Sequence, residues 1–294
     1  MDDDITSLPD AQEAEDRRRE QGKTDAPAED VLVEEARRTA RAGADRLNRS
    51  WRTLIVTGLF GGIDVGLGIM AMVLVKEATG SVVLGGMAFG VGLIALKMAH
   101  SELFTEELLV PINAVVAGQG TLLQLLRLWA VTLLGNLFGG WAFTYLLVVA
   151  FPGYHEAFIS TAEGYLVDRP WAVAVALAVL AGSTITLVTR MQQGTEDDVA
   201  SMVMALISGM LVVGMGMLHG ALNSIIVFAA IHAGAEITYG QWFVWFLWVI
   251  PANMLGGVLI MTLPRLLRSG ELLMAIRRGE LSIEDEEDID EHNP

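Results

Sequence analysis

Apolar residues in this chain come in blocks, not at the spacing of an amphipathic helix or strand. Residues 53–75, 81–117, 122–150, 171–190, 199–234 and 242–263 are nearly continuous runs of Leu, Val, Ala, Ile, Gly and Met, with short polar punctuation between them. A helix on the surface of a soluble protein keeps a polar face, and these windows have none. A bilayer core of about 30 Å is crossed by roughly 20 such residues in a helix. The pattern therefore predicts an all-α polytopic membrane protein with six transmembrane helices. The second and fifth windows are too long for one crossing, and each carries a polar interruption, "HSELFTEE" at 100–107 and "LHGALNS" at 218–224. Broken backbone at membrane depth is tolerated only where protein or a water-filled cavity receives its freed polar groups. The second and fifth helices are thus expected to break around a conduit.

Composition supports the membrane reading and localises the charge. The 294 residues are 53% hydrophobic, yet the formal net charge is −16. Residues 51–270 hold 8 basic and 12 acidic residues, so most of the acidity belongs to the ends. Residues 1–28 and 269–294 read as acidic, disordered tails that cannot bury enough surface to offset ordering. Residues 29–50 read as a charged interfacial helix, its arginines suited to anionic headgroups, and residues 51–268 form the six-span transport domain. The first 50 residues contain no apolar core segment, so no signal peptide is expected. With no cysteine in the chain, disulfides, thiolate metal sites and thiol nucleophiles drop out. Six spans with an internal N-terminus put Arg127, Arg190, Arg265, Arg268, Arg277 and Arg278 on the cytoplasmic side and only Lys76 and Arg169 outside. That bias is the positive-inside rule, with both termini cytoplasmic in the cell (inner or plasma) membrane.

The two halves echo each other. "LGNLFGG" at 134–140 and "PANMLGG" at 251–257 share Asn-x-x-Gly-Gly at an offset of 117, and the same offset carries Glu102 onto His219. Three spans followed by three more have opposite orientations, so the expectation is an inverted three-plus-three repeat with its site at the interface near the midplane.

These residues resemble the formate/nitrite transporter family. The matching positions are Glu102, Leu103, Phe104 and Thr105 in the broken second helix, Gly135 and Asn136 in the third, and His219 and Asn223 in the broken fifth. The resemblance covers roughly residues 50–268. It implies an aquaporin-like arrangement with a pore in each protomer, a homopentamer, and passage of small monovalent anions or their weak acids, with protons as possible co-substrates. Gly-rich stretches such as "GGMAFGVG" and "GNLFGG" would permit close contact between copies. Glu106 and Glu107 stand where the family has Gly-Asn, and Leu218 stands where it often has a glutamate. The chain thus reads as a divergent branch.

On this reading His219 presents an N–H donor to the anion and senses or relays a proton, since ionisable groups in a bilayer are costly and are most often functional. The alternative is a packed imidazole bonded to a carbonyl. Thr105 offers a hydroxyl beside freed backbone N–H groups, which form an anion-binding nest, or else simply caps a helix. Asn223 orients His219 or caps its own helix. Leu103 and Phe104 form an apolar constriction against hydrated ions, or ordinary packing. Glu102 stabilises the loop by accepting its backbone N–H groups. Lys97, His100 and Asp64 are accessory positions, with a Lys97–Asp64 or Lys97–Glu102 ion pair as their structural reading. Glu106 and Glu107 at a pore mouth would repel anions. Rival readings are a pore for small neutral solutes, a non-transporting scaffold that recruits a partner through its tails, and an intramembrane enzyme. Against the last, "HEAFI" at 155–159 lacks the second histidine of a zinc protease motif. No enzymatic activity, metal, cofactor or nucleic-acid partner is expected.

Overall fold

The structure, a computed structural model, describes residues 26–195 and 197–283. The acidic segments 1–25 and 284–294, expected to be disordered, lie outside the described residues. Every regular element among the described residues is helical. Helix α1 (Ala26–Leu47) leads into α2 (Trp51–Thr79). The second segment is broken into α3 (Val82–Met98), a 3₁₀ turn (Phe104–Leu108) and α4 (Val110–Val116). Then come α5 (Leu122–Ala150), a short α6 (His155–Leu166) and α7 (Trp171–Gln193). The fifth segment is broken into α8 (Asp198–Gly214) and α9 (Gly220–His232), and α10 (Tyr239–Leu255) runs through a π-helical stretch (Gly256–Thr262) into α11 (Leu263–Arg278).

The polar punctuation sets where these helices start. Ser50, Ser81 and Asp197 each accept a backbone N–H in the first turn of the helix that follows, and Thr121 and Thr238 form full capping boxes with Gln124 and Gln241. Such caps satisfy donors that a helix start otherwise leaves free. Helices α2, α5, α7 and the continuous Tyr239–Arg278 helix are long and apolar enough to cross a membrane, while α3, α8 and α9 are shorter apolar helices. The molecule is a multi-pass membrane protein with the second and fifth segments interrupted, as the windows imply. Two boundaries differ from expectation. Helix α1, expected from residue 29, begins at Ala26, and the last helix runs on to Arg278, past the expected start of the tail at 269. Helix α6 occupies a stretch with no apolar window, and its first residue, His155, donates from Nε2 to the Val148 carbonyl at 2.9 Å.

Small residues let the crossing helices touch. A Cβ on Gly139 would run into the Leu59 carbonyl of α2, and one on Gly62 into the backbone of Asn136 on α5. Without a hydrophobic force between helices in lipid, this close approach is what holds α2 to α5. The Gly-rich faces expected to serve contacts between copies are instead used inside the protomer. Gly86 and Gly90 lie against α8, Gly135 and Gly139 against α2, and Gly140 against Ile225 of α9. Large apolar side chains such as Phe60, Leu134, Leu146 and Val244 point outward, as lipid requires and water does not. At the end near α1, Arg127 donates from Nη2 to the carbonyls of Leu47 and Arg49 at 2.7 and 2.9 Å. This pins the α1–α2 corner and fixes where Arg46 and Arg49 can reach.

Candidate functional site

The two breaks meet inside the protein. Thr105 and His219, both fully buried, approach with Oγ1···Nε2 at 3.0 Å. His219 is also the N-cap of α9, and its Nδ1 accepts the Leu222 backbone N–H at 3.2 Å. An acceptor nitrogen carries no proton, so the hydrogen of the neutral ring sits on Nε2 and points at Thr105. A proton arriving at Nδ1 would have to displace the Leu222 N–H. Asn223, one turn into α9, accepts the His219 backbone N–H on Oδ1 at 2.6 Å. It holds the histidine's backbone in place. A narrow cavity abuts this turn, lined by Asn223, Leu222 and apolar groups including Ile69, Phe89 and Val212, with Tyr165 of α6. Burial pushes the Tyr165 phenol up to about 12, so its hydroxyl keeps its proton.

Each break is braced by one buried asparagine. Asn136 of α5 accepts the Phe104 N–H on Oδ1 at 2.9 Å and donates from Nδ2 to the carbonyls of Glu102 at 2.7 Å and Gly58 at 2.9 Å. Asn253 of α10 accepts the Gly220 N–H at 2.7 Å and donates to the carbonyls of Leu218 at 2.8 Å and Ala178 at 2.7 Å. Two of the three partners at each asparagine are groups that an interrupted helix exposes, and the third, the Gly58 or Ala178 carbonyl, ties the break to the neighbouring unbroken helix α2 or α7. The bonding equates Glu102 with Leu218 and Phe104 with Gly220, so the offset of 117 that matches the asparagines is one residue too long at the breaks. Glu102 does not correspond to His219. The Asn-x-x-Gly-Gly motifs are visible in the sequence, but the bracing role of their asparagines is not.

The glutamates turn away from the Thr105–His219 contact toward cations of α1 and its connection to α2. Glu102 pairs with Arg49 and accepts a hydrogen bond from Thr57 Oγ1 at 3.2 Å, in place of the backbone N–H groups of its own loop. Glu107, fully buried, pairs with Arg46 at 3.0 Å through Oε1, while its Oε2 has no hydrogen-bond partner. Glu106 is partly exposed and lies within electrostatic reach of Arg46 and Lys97. Breaking a buried pair costs more than deleting it, because one charge stays uncompensated. Arg46→Gln is therefore expected to destabilise the protein by roughly 3–5 kcal/mol, and the double substitution with Glu107→Gln by clearly less. Thermal unfolding of the four-member cycle measures this, and additive effects would mean that the pair is not coupled.

The remaining sequence candidates are scattered. Leu103 and Phe104 are buried. Phe104 meets Trp129 edge-to-face with ring centroids 6.4 Å apart and packs with Leu108 and Ile250. Lys97 pairs with neither Asp64 nor Glu102, since Glu102 is taken by Arg49, and Asp64 is buried with Oδ2 unpartnered. His100 adopts φ 54 at the start of the first break and is exposed, apart from the Thr105–His219 contact.

Two interrupted helices thus meet at a buried histidine and threonine, each break closed by an asparagine, in a multi-pass membrane protein. Comparison with known proteins makes the class specific. The sequence profile of the formate/nitrite transporter family matches residues 33–267, and the chain belongs to that family. It is 26% identical over 226 residues to the formate channel BtFdhC of Bacillus thuringiensis, covering 74% of this chain and 86% of that protein. It is also 26% identical over 233 residues to the uncharacterized transporter YrhG of Bacillus subtilis (strain 168), covering 76% and 87%. Among solved structures, the fold matches an FNT family ion channel with a TM-score of 0.69 at 23% identity, over 81% of this chain and 97% of that one. It matches a pentameric formate channel with formate bound with a TM-score of 0.63 at 19% identity, over 74% and 97%.

Proposed function

We propose that this protein conducts small monovalent anions of the formate/nitrite class, or their weak acids, through a path in each protomer that passes between the two breaks. The Thr105–His219 contact carries the reading. It sets an Nε2–H donor and a hydroxyl side by side where two interrupted helices free polar backbone inside a bilayer, a combination with little use in packing alone. His219 acts as a donor to the passing anion. Its Nδ1, the only ring nitrogen with a lone pair left for a second proton, is engaged by the Leu222 N–H, so protonation of the ring requires that bond to break. The pairing of Glu102 and Glu107 with arginines supports anion passage, because the carboxylates expected to repel an anion are neutralised. The parallel bracing by Asn136 and Asn253 favours an inverted repeat. Attachment of Arg127, Arg190 and Arg265 to α1 and its junction gathers the basic residues at one end, which favours cytoplasmic termini in the cell membrane. Flux into proteoliposomes across formate, nitrite, acetate, lactate, hydrosulfide, glycerol and water tests the proposal. Glycerol or water passing without the anions would replace it by a neutral-solute pore.

Leu103 and Phe104 form the constriction on this reading. Phe104→Ala is expected to raise flux and admit larger anions such as lactate, at a stability cost of about 3–5 kcal/mol for the lost packing. A folded variant with unchanged selectivity assigns Phe104 to packing. Assembly as a homopentamer follows from the relative described as a pentameric formate channel. Native mass spectrometry in mild detergent is expected to show five copies, and monomers alone would refute it.

A further inference from the structure

A second cluster of chemistry lies apart from the Thr105–His219 contact, beside the end of the first break where α4 begins. A cavity of about 690 Å³ opens between α1, α4 and the ends of α7 and α11. Four arginines line it, Arg38 from α1, Arg190 from α7, and Arg265 and Arg268 from α11, facing two carboxylates, Glu34 and Glu35. This is a local excess of positive charge in a strongly acidic chain.

The cations are not used up by the protein. Glu35 meets Arg190 Nη2 at 2.7 and 3.0 Å. Its Oε1 stands 3.8 Å from Arg265 Nη1, too far for a hydrogen bond. Arg190 Nε and Arg265 Nη1 are enclosed without hydrogen-bond partners, and enclosed donors of this kind are costly unless something accepts from them. Arg38 and Arg268 form no ion pair among the described residues and are exposed. The buried Asn113 also lines the cavity, and its Oδ1 has no partner. With its amide turned over, Asn113 presents its Nδ2–H donors to an anion in the cavity. Glu35 is thus an intramolecular carboxylate occupying part of a site built for more negative charge.

We propose that this cavity is a binding site for a phosphate group. Guanidinium groups present planar forks of donors that match phosphate oxygens, and four of them converging from three helices exceed what a one-carbon anion needs. Such a group comes either from a soluble phosphate compound or from an anionic lipid headgroup at the membrane surface on which α1 lies. A ligand seated there ties α1 to the ends of α7 and α11 and so couples its presence to the position of Arg46 and Arg49, which hold the first break. The site does not depend on which anion the pore conducts.

The test uses the purified full-length oligomer and reads binding, not flux. Thermal unfolding is followed against inorganic phosphate, with chloride at matched ionic strength as baseline. In a second arm it is followed in vesicles containing phosphatidic acid, against phosphatidylcholine alone. Saturating ligand is expected to raise the midpoint by about 3 °C. Arg38→Gln with Arg268→Gln, both exposed and therefore tolerated by the fold, should abolish most of that rise. Arg278→Gln, an exposed arginine paired with Glu280 outside the cavity, should keep it. A rise with inorganic phosphate that the double variant loses supports a soluble ligand, and a rise only with phosphatidic acid that it loses supports a lipid. No rise in either arm, or a rise that the double variant retains, overturns the proposal.

Discussion

His219→Ala should reduce anion flux roughly ten- to hundredfold, the kinetic equivalent of one lost hydrogen bond to a charged species. The substitution also removes the N-cap of α9, so two replacements separate the effects. His219→Ser can still accept the Leu222 N–H but is too short to reach Thr105, and it should stay folded and conduct poorly. His219→Asn is a strong N-cap that can also donate, and it should recover part of the flux. A formate-type acid is almost wholly ionised above about pH 5, so pH dependence of its anion conductance between about 5 and 8 belongs to the protein. That dependence should flatten in all three variants. Flux and pH profile equal to the parent in His219→Ala, measured in intact oligomer, would make the histidine a helix cap and nothing more.

Asn136→Ala carries the largest expected structural cost. It strands the Phe104 N–H and the Glu102 carbonyl in a buried place that water cannot easily reach, and it removes the tie to the α2 backbone at Gly58. At about 1–3 kcal/mol for each unsatisfied group, the loss should exceed roughly 3 kcal/mol and lower both the unfolding midpoint and the yield of oligomer. Asn253→Ala removes three equivalent bonds and should cost about the same. Asn223→Ala removes only the bond to the His219 N–H and should cost less. An Asn136→Ala protein that unfolds with the parent, or a large inequality between Asn136 and Asn253, would argue against the bracing role of both.

Much of this was legible in the sequence. Blocks of apolar residues identify the crossing segments because a bilayer offers the backbone no partners outside a helix, and helix length is set by membrane thickness. The polar interruptions locate both breaks for the same reason, and the Glu-Leu-Phe-Thr and His-x-x-x-Asn residues point to the family. The partners of the ionisable groups were not legible. Lys97, Asp64 and Glu102 lie near one another along the expected segments, yet Glu102 pairs with Arg49 from the α1–α2 connection and Glu107 with Arg46 of α1. Those contacts join positions 53 and 61 residues apart, and no periodicity within a helix encodes them.

The sequence by itself determined what is local or imposed by solvent: which stretches are helical and apolar, where they start, where two of them must break, and which residues stand at the breaks. Only the tertiary structure decided what each polar group does there. Whether His219 donates or accepts follows from Leu222 occupying Nδ1. Whether the glycines serve neighbouring copies or the protomer follows from which helices stack. Whether Glu107 repels an anion follows from Arg46 reaching it. Each depends on which groups converge in space, and in a bilayer every polar group must find its partner within the protein.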